Sequence, residues 1–271
     1  MNRDFSMRLL KTAVGAARLS GDIILRNLGR LTRGDIEKKQ AFDFVTKVDR
    51  WSEAVIVQAI RENFPSHSFL AEETFRQPGT DPFRWIIDPL DGTTNYIHGY
   101  PMFSVSIALS HEGEVVLGVV FDPLRDELFH AVKGEGAFLN NVPIRVSETG
   151  DLGDGLIATG FPFRKKELVD LYLTAFKAVF HEVSDIRRAG SAAIDLAYIA
   201  AGRVDGFFEL GLSPWDIAAG SLLIREAGGY ITDFGGGKEY LSTGNVVAGN
   251  ETVHGPILDK IKEIFAGTIE G

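Results

Sequence analysis

The sequence predicts a layered α+β fold, and three features of its pattern indicate this class. Apolar residues recur at helical spacing near the start of the chain, a series of short β-rich segments follows between residues 101 and 146, and helices then alternate with strands. This order favours a layered α+β architecture over a TIM barrel or a simple Rossmann domain.

The predicted elements are placed by their periodicity and by the turns between them. Helices are expected at about 5–29, 50–63, 166–181, 190–202 and 214–227. A buried strand is expected at Trp85–Ile87, and antiparallel strands are expected at Ser104–Ser110, Val115–Phe121, Leu128–Val132, Ala137–Leu139 and Ile144–Val146. The Gly- and Asp-rich segment 147–155 predicts a boundary between an N-terminal lobe, 1–150, and a C-terminal lobe, 151–271, that together form one catalytic unit.

Composition excludes several classes of protein. The 271 residues include 28 Lys plus Arg, 37 Asp plus Glu and no Cys, which gives a net charge of −9 and a pI of about 5.2. Disulfides, thiolate zinc sites, iron–sulfur clusters and cysteine nucleophiles are therefore absent. An acidic chain without a basic block is not expected to bind nucleic acid or a membrane as its main ligand.

The first thirty residues are expected to form a surface helix and not a targeting signal. Lys11 and Arg18 interrupt the apolar run that a secretory signal needs. No stretch of the sequence has the ~20 apolar residues of a membrane span, so a cytoplasmic protein is expected.

Common catalytic motifs are missing as well. The six His are scattered with no His-Glu-x-x-His pair, and there is no Gly-x-Ser-x-Gly elbow. The Gly-rich run 235–238 ends in Lys238, but Glu239 stands where a phosphate-binding loop needs Ser or Thr. Carboxylate chemistry is what remains.

Four segments place acids beside apolar runs. They are Asp43–Asp49, Phe69–Thr74, Trp85–Asn95 and Ser213–Gly220.

The third segment is the most informative. Asp88 ends an apolar strand, where a carboxylate is costly unless it is paired or binds a metal, and Pro89 is expected to end the ladder. Asp91 and Gly92 then lead into a short helix whose first N–H groups suit a phosphate. Two Asp beside a phosphate require hard cations between them, and oxygen ligands favour magnesium or manganese. The segment therefore indicates metal-assisted phosphate ester chemistry.

Each acidic segment alone also has an ordinary structural explanation. Asp-Pro-x-Asp-Gly is a common turn sequence, and Ser213 with Asp216 forms a helix capping box. Glu72 and Glu73 could lie in a solvated loop, and Asp43 and Asp49 could be turn or cap residues. These explanations leave the joint occurrence of the four segments, in this order, unaccounted for.

The sequence resembles the inositol monophosphatase family, among the lithium-sensitive, magnesium-dependent phosphatases, over nearly its whole length. The resemblance rests on Asp88-Pro-Leu-Asp-Gly-Thr-Thr-Asn95 and Trp215-Asp-Ile-Ala-Ala-Gly220, supported by Asp43–Asp49 and Ala71–Glu73. Segments 159–163 and 187–193 are most similar to bacterial members. The resemblance implies an α/β/α/β/α sandwich of the sugar-phosphatase type.

The resemblance also implies a site with two to three Mg²⁺ ions, for which Mn²⁺ is a possible substitute. Glu72, Asp88 and the Leu90 carbonyl would hold the first ion. Asp88, Asp91 and Asp216 would hold the second, and Glu72 would help with a weaker third. Glu72 and Thr93, with Asp49 paired to the Thr93 hydroxyl, would activate the attacking water.

The remaining contacts implied by the resemblance are with substrate. Gly92 and Thr93 N–H groups would hold phosphate oxygens, while Asp91, Ala192, Glu209 and Asp216 would line the sugar-alcohol side. Lys38 matches a family lysine near the site, although Lys39 is adjacent. Arg187 or Arg188 could reach a second phosphate, and a surface or interface pair is the favoured alternative.

The predicted activity is hydrolysis of myo-inositol monophosphate by in-line attack of a Mg²⁺-activated water, in a homodimer. Fructose-1,6-bisphosphatase or dual activity is the alternative in the same class, because the metal core is shared. A non-catalytic regulatory protein of the same fold is the alternative in another class, and the intact ligand set argues against it.

Overall fold

The computed structural model describes residues 2–40, 43–74, 76–77 and 81–268 and has the layered α+β architecture that the sequence predicts. Its helices are α1 (Arg3–Asn27), α2 (Lys47–Asn63), α3 (Thr93–His98), α4 (Val169–Phe180), α5 (Ala192–Ala200), α6 (Pro214–Glu226), α7 (Tyr240–Thr243) and α8 (Glu251–Phe265). Its strands are β1 (Ile36–Gln40), β2 (Asp43–Thr46), β3 (Ser68–Ala71), β4 (Arg76–Gln77), β5 (Phe83–Asp91), β6 (Ser104–His111), β7 (Glu114–Asp122), β8 (Glu127–Val132), β9 (Ala137–Leu139), β10 (Val142–Ile144), β11 (Leu156–Thr159), β12 (Asp185–Arg187), β13 (Gly206–Glu209), β14 (Tyr230–Thr232) and β15 (Val246–Gly249).

Within the described ranges the strands form three sheets. An antiparallel pair joins β1 and β2, an eight-stranded sheet has the order β10-β9-β8-β7-β6-β5-β3-β4, and a five-stranded sheet has the order β12-β11-β13-β15-β14. In the eight-stranded sheet β3 pairs in parallel with β5, while β5 to β10 form an antiparallel series.

The helices and the two large sheets form five layers, and their buried apolar residues form three hydrophobic cores. Alternate residues of a strand enter different cores, as Trp85 and Ile87 face α1 and α2 while Ile86 faces the opposite side. The second core holds α5 and α6 between the two large sheets, and the third covers the outer face of the five-stranded sheet with α4 and α8. The result is the α/β/α/β/α order implied by the resemblance.

Small residues let α6 lie close to its neighbours. A Cβ on Gly118 of β7 would come within 2.7 Å of the Ala219 carbonyl oxygen, and a Cβ on Gly220 would come within 2.5 Å of Leu196. The Ile-Ala-Ala-Gly run that starts at Ile217 therefore seats α6 against both the eight-stranded sheet and α5.

The five predicted helices agree with the structure to within three residues at each end. Two strand predictions were wrong. The last antiparallel strand is Val142–Ile144 and not Ile144–Val146, because Val146 leaves the sheet and its N–H donates to the Ala227 carbonyl at 3.2 Å. Pro89 does not end its strand, since β5 continues to Asp91 through an irregular register.

The lobe boundary at residues 150 and 151 stays a prediction. The eight-stranded sheet is built from residues 68–144 and the five-stranded sheet from residues 156–249. Across the part of the chain that the structure describes, no helix is both long and apolar enough to cross a membrane.

Candidate active site

A bulge in β5 brings two aspartates to the same side of the sheet. Asp88 pairs with Ser106 and Asp91 pairs with Ser104, so β5 has one extra residue between these pairs. In a regular strand, residues three apart point to opposite faces, and the extra residue removes that alternation. Both carboxylates therefore face the start of α6.

Asp216 reaches the same point from α6. Ser213 is the N-cap, Pro214 lies at the first helical position, and the Ser213 N–H donates to Asp216 Oδ2 at 2.7 Å. One carboxylate oxygen from each of Asp88, Asp91 and Asp216 lies within 4.8 Å of the others, and all three side chains are buried. The capping-box explanation is thus correct and compatible with a ligand role.

Glu72 joins this group from the end of β3. Its N–H donates to the Ile87 carbonyl at 3.1 Å, and its side chain is only 11% exposed. The next two backbone N–H groups donate to the buried carboxylate of Glu53, at 2.7 Å from Glu73 and 2.8 Å from Thr74. The solvated-loop alternative for Glu72 and Glu73 was therefore wrong, because Glu53 fixes the backbone of this turn.

Asp49 and Thr93 form the hydrogen bond that the resemblance implies. Asp49 is fully buried in the capping box of α2, where its Oδ2 accepts from the backbone N–H and the hydroxyl of Thr46 at 2.9 and 2.6 Å. The Thr93 hydroxyl lies 2.8 Å from Asp49 Oδ1 and 3.1 Å from the Leu90 carbonyl. The Thr93 side chain is thereby held in one orientation.

Gly92 allows the sharp change of direction between β5 and α3. Its φ of +89° is in the left-handed region, and a Cβ there would come within 2.8 Å of the Met102 carbonyl oxygen. Asn95 then fixes the turn to the C-terminal half, because its side-chain NH₂ donates to the carbonyls of Met102, Ala189 and Gly190 at 2.8, 3.0 and 3.2 Å.

The acid cluster holds protons strongly. Burial raises the pKa of Asp91 to about 6 and that of Asp216 to about 7, although hydrogen bonds to Asp91 from Ser191 and Ala193 oppose the shift. Burial, with the charge of Glu72 and then of Asp91 and Asp216, raises the pKa of Asp88 well above its usual range. Burial likewise raises the pKa of Asp49 to about 6. Closely spaced acids that retain protons form a site suited to cations.

Two cationic side chains approach the cluster. Lys39 Nζ lies 3.1 Å from Glu72 Oε1 and also contacts Glu73, while Arg164 Nη2 is 4.0 Å from Glu72 Oε1 and Nε is 3.5 Å from Asp43 Oδ2. Lys39, and not Lys38, is therefore the lysine at the site, because Lys38 is exposed on the other side of β1. Arg188 lines the cavity, whereas Arg187 is exposed and pairs with Asp185.

A cavity of about 250 Å³ brings the predicted residues together. Nine of the ten predicted site residues line it, namely Glu72, Asp88, Leu90, Asp91, Gly92, Thr93, Ala192, Glu209 and Asp216. Asp49 does not line it and is linked to it by the hydrogen bond from the Thr93 hydroxyl.

The sequence reasoning missed several residues around this cavity. Glu53 and Asp195 have no motif of their own, Ser191 lies in the 187–193 segment that is similar to bacterial members, and Lys39 is adjacent to the lysine that the resemblance favours. Arg164 follows the 159–163 segment that resembles bacterial members, so that segment was the available signal for it.

This combination of five layers and an acid-lined cavity is that of a known family. The model of the inositol monophosphatase family matches residues 7–266, and the chain belongs to this family.

Individual relatives carry two kinds of name. The chain is 49% identical over 263 residues, 97% of its length and 98% of the relative's, to the Nus factor SuhB of Escherichia coli strain K12. It resembles the crystal structure of extragenic suppressor protein suhB from Bartonella henselae with a TM-score of 0.91 at 43% identity, covering 94% of this chain and 99% of that one. It also resembles an inositol monophosphatase from Anabaena with a TM-score of 0.85 at 40% identity, covering 95% and 96%.

Proposed function

We propose that this chain is a magnesium-dependent phosphomonoesterase that hydrolyses myo-inositol monophosphate to inositol and phosphate. The observation that carries the proposal is the group of buried carboxylates on Asp88, Asp91 and Asp216, within 4.8 Å of one another on the wall of a cavity. Membership of the inositol monophosphatase family supports the same reaction class.

The residues present fit magnesium or manganese. Every donor in the cluster is an oxygen, and no His lines the described cavity. Glu72, Asp88 and the Leu90 carbonyl would hold one ion, and Asp88, Asp91 and Asp216 a second, with Glu72 available to a third. Bound ions would supply charge neutralisation of the phosphate and a lower pKa for water.

Thr93 and Asp49 would orient the attacking water. When the Thr93 hydroxyl donates to Asp49 Oδ1, its oxygen lone pairs are free to accept a hydrogen bond from water. Glu72 lines the same cavity and would accept the second hydrogen bond. Asp49 is a positioning residue, since it reaches the cavity only through Thr93.

The start of α3 would hold the phosphate, and the opposite wall would hold the alcohol. Gly92 and Thr93 line the cavity at the N-terminus of α3, where N–H groups lack intrahelical partners. Asp91, Ala192, Glu209 and Asp216 line the side on which the sugar alcohol would lie.

A phosphate-release assay tests the proposal directly. Inositol 1-phosphate, fructose 1,6-bisphosphate and adenosine 3′,5′-bisphosphate are compared with and without Mg²⁺, and Asp91→Asn serves as the inactive control. We expect Mg²⁺-dependent release that is fastest from inositol 1-phosphate and is inhibited by lithium. Faster release from fructose 1,6-bisphosphate would favour the alternative bisphosphatase or dual activity.

A second candidate function comes from the name of the Escherichia coli relative. At 49% identity over nearly both chains, a role as a Nus factor is the second candidate, and it corresponds to the regulatory alternative. A complementation experiment separates the two functions: Escherichia coli that lacks its Nus factor SuhB is supplied with either the wild-type chain or the Asp91→Asn chain. If both chains restore the function of the missing relative equally well, the result would support a Nus-factor role that is independent of hydrolysis.

We also propose that the chain forms a homodimer. An exposed apolar face on α4 supports this, because Val169, Leu173 and Phe180 are 38%, 46% and 50% exposed and recur at helical spacing. A cytoplasmic location stays a prediction.

A further inference from the structure

Two carboxylates in the cavity lie outside the proposed metal ligands. Asp195, in the first turn of α5, is 4% exposed, and Glu209, at the end of β13, is 8% exposed. Both line the cavity that also contains Asp91 and Asp216. Glu209 is one of the predicted substrate contacts, whereas Asp195 is neither a predicted substrate contact nor a predicted metal ligand.

Neither carboxylate has a hydrogen-bond donor among the residues that the structure describes. The nearby Asp91 is different, since its Oδ2 accepts from Ser191 Oγ at 2.6 Å and from the Ala193 N–H at 2.9 Å. Burial raises the pKa of Asp195 and of Glu209 well above the usual range, and the charge of Asp91 adds to the rise at Asp195 while that of Asp195 adds to the rise at Glu209. The oxygens of Asp195 and Glu209 are not among the fully buried side-chain atoms that lack a partner, so they open to the cavity, where water or the hydroxyl groups of a ligand would supply the donors.

The backbone makes room for one of these carboxylates. A Cβ on Gly160 would overlap the carboxylate group of Glu209. Gly160 does not have a positive φ, so what a side chain here would disturb is the present position of the Glu209 carboxylate, which would have to move. The end of β11 thus leaves space that the Glu209 carboxylate occupies.

The chemistry of this wall favours a neutral ligand with several donors. Two adjacent carboxylates match two hydroxyl groups, whereas a second phosphate at the same place would be repelled. Arg188, at the rim, is the cation that acts on both Asp195 and Glu209 and offsets part of their charge.

We infer that Asp195 is a specificity-determining residue, which together with Glu209 accepts hydrogen bonds from neighbouring hydroxyl groups of a polyol phosphate. The inference rests on the proposed phosphatase function and narrows its substrate class. It predicts selection of polyhydroxylated monophosphates over phosphate esters whose alcohol has no further hydroxyl.

The test compares inositol 1-phosphate with phenyl phosphate, which has no hydroxyl on its leaving group. We expect Asp195→Ala to lower the ratio of kcat/KM for inositol 1-phosphate to that for phenyl phosphate by about 10- to 100-fold. Asp195→Asn keeps the size of the side chain and is expected to lower the ratio less. The control is Asp259→Ala, an exposed acid on α8, which should leave the ratio unchanged.

Thermal unfolding separates this role from a structural one. Because the Asp195 carboxylate lines the cavity and accepts no hydrogen bond from the residues that the structure describes, neither variant should have a Tm below that of the wild type. A lower Tm with equal losses on both substrates would assign Asp195 to the fold and overturn the inference.

The two proposals fail in different ways. A wild-type protein that releases phosphate from neither ester in Mg²⁺ would overturn the proposed function. A wild-type protein that hydrolyses both, with an unchanged ratio in Asp195→Ala, would overturn the role of Asp195 alone.

Discussion

Asp216 combines a helix cap with the proposed binding of a cation. Its Oδ2 accepts the Ser213 N–H that closes the capping box, and the same side chain lies within the acid cluster. The amide of Asn can still accept that hydrogen bond, whereas its charge is gone. Substitution by Asn therefore separates the two roles.

Asp216→Asn is expected to lower Mg²⁺-dependent phosphate release by at least about 100-fold. Replacing a residue that only hydrogen-bonds to a metal ligand typically lowers metal affinity or activity by about 10- to 100-fold, and a ligand itself should matter more. The Tm of the metal-free protein should rise, because one member of a repelling group becomes neutral. Assays with Mg²⁺ and differential scanning calorimetry with EDTA measure both effects. Undiminished turnover in Mg²⁺ would contradict the assignment of Asp216.

The metal-free protein is expected to lose stability as the pH rises from about 4 to about 7. In the folded state Asp49 and Asp91 have a pKa of about 6 and Asp216 of about 7, against an ordinary value of 3.8. The folded chain therefore keeps protons that the unfolded chain has released, and folding becomes less favourable as the pH rises through this range.

Urea unfolding in EDTA at about pH 5 and about pH 7.5 checks this sign. The stabilisation by added Mg²⁺ should be larger at the higher pH, because ligands must lose their protons to bind metal. Greater metal-free stability at the higher pH would contradict the prediction.

The residues that sequence reasoning could identify are those with a chemically unusual setting. Asp88 stands out as an acid after an apolar strand, and Asp216 stands out through its neighbours Trp215 and Pro214. Glu53 and Asp195 look like ordinary acids of a helix, and only burial and the lack of donors around Asp195 distinguish them in the structure. Lys39 differs from Lys38 only in the face of β1 on which it lies, which the sequence leaves open.

At the scale of elements, Gly92 controls the join between β5 and α3. Gly92→Ala should lower the free energy of unfolding by at least about 1 kcal/mol, since a left-handed conformation is unfavourable for Ala and its Cβ would meet a backbone oxygen. Gly15→Ala is the matched control. Gly15 is an exposed position inside α1 with no atom within 4 Å of its Cβ position, and Ala there should stabilise by about 0.5–1 kcal/mol. Urea unfolding measures both, and equal effects would contradict the role of Gly92.

Elements with regular patterns were predictable, and irregular ones were not. The alternating apolar residues of β6 and the continuous, Val-rich run of β7 give two strands joined by a Gly-containing turn. The bulge in β5 has no such signal, because Pro89 equally indicates a strand end. Helix α8 was missed because Gly255 and Pro256 interrupt its helical pattern, although Asn250 caps it by accepting the Val253 N–H at 2.9 Å.

At the scale of the whole molecule, the exposed face of α4 predicts association. Leu173→Glu should convert a homodimer into monomers, because a charge in an apolar interface is costly to bury. Sedimentation velocity measures the mass, and Leu19→Glu is the matched control for added charge, because Leu19 is 49% exposed on α1, in the outer layer opposite α4. A wild-type protein that sediments as a monomer would contradict the predicted homodimer.

The net charge of −9 is partly explained by the site. Four of the 37 acidic residues lie at the site, and bound divalent ions would offset their negative charge. They are Glu72, Asp88, Asp91 and Asp216. The composition could predict that the chemistry uses oxygen ligands. It could not predict which acids meet, since this depends on the bulge of β5 and on the close seating of α6.

The acid cluster draws its members from residues 72 to 216 of the chain. A nascent chain that has not yet extended beyond the start of α6 lacks Asp216, and a chain whose two large sheets have not docked cannot bring it to Asp88. Hydrolysis would therefore begin only after Asp216 has been synthesised and the two large sheets have docked, so that regained activity would report this docking and not the formation of either sheet alone.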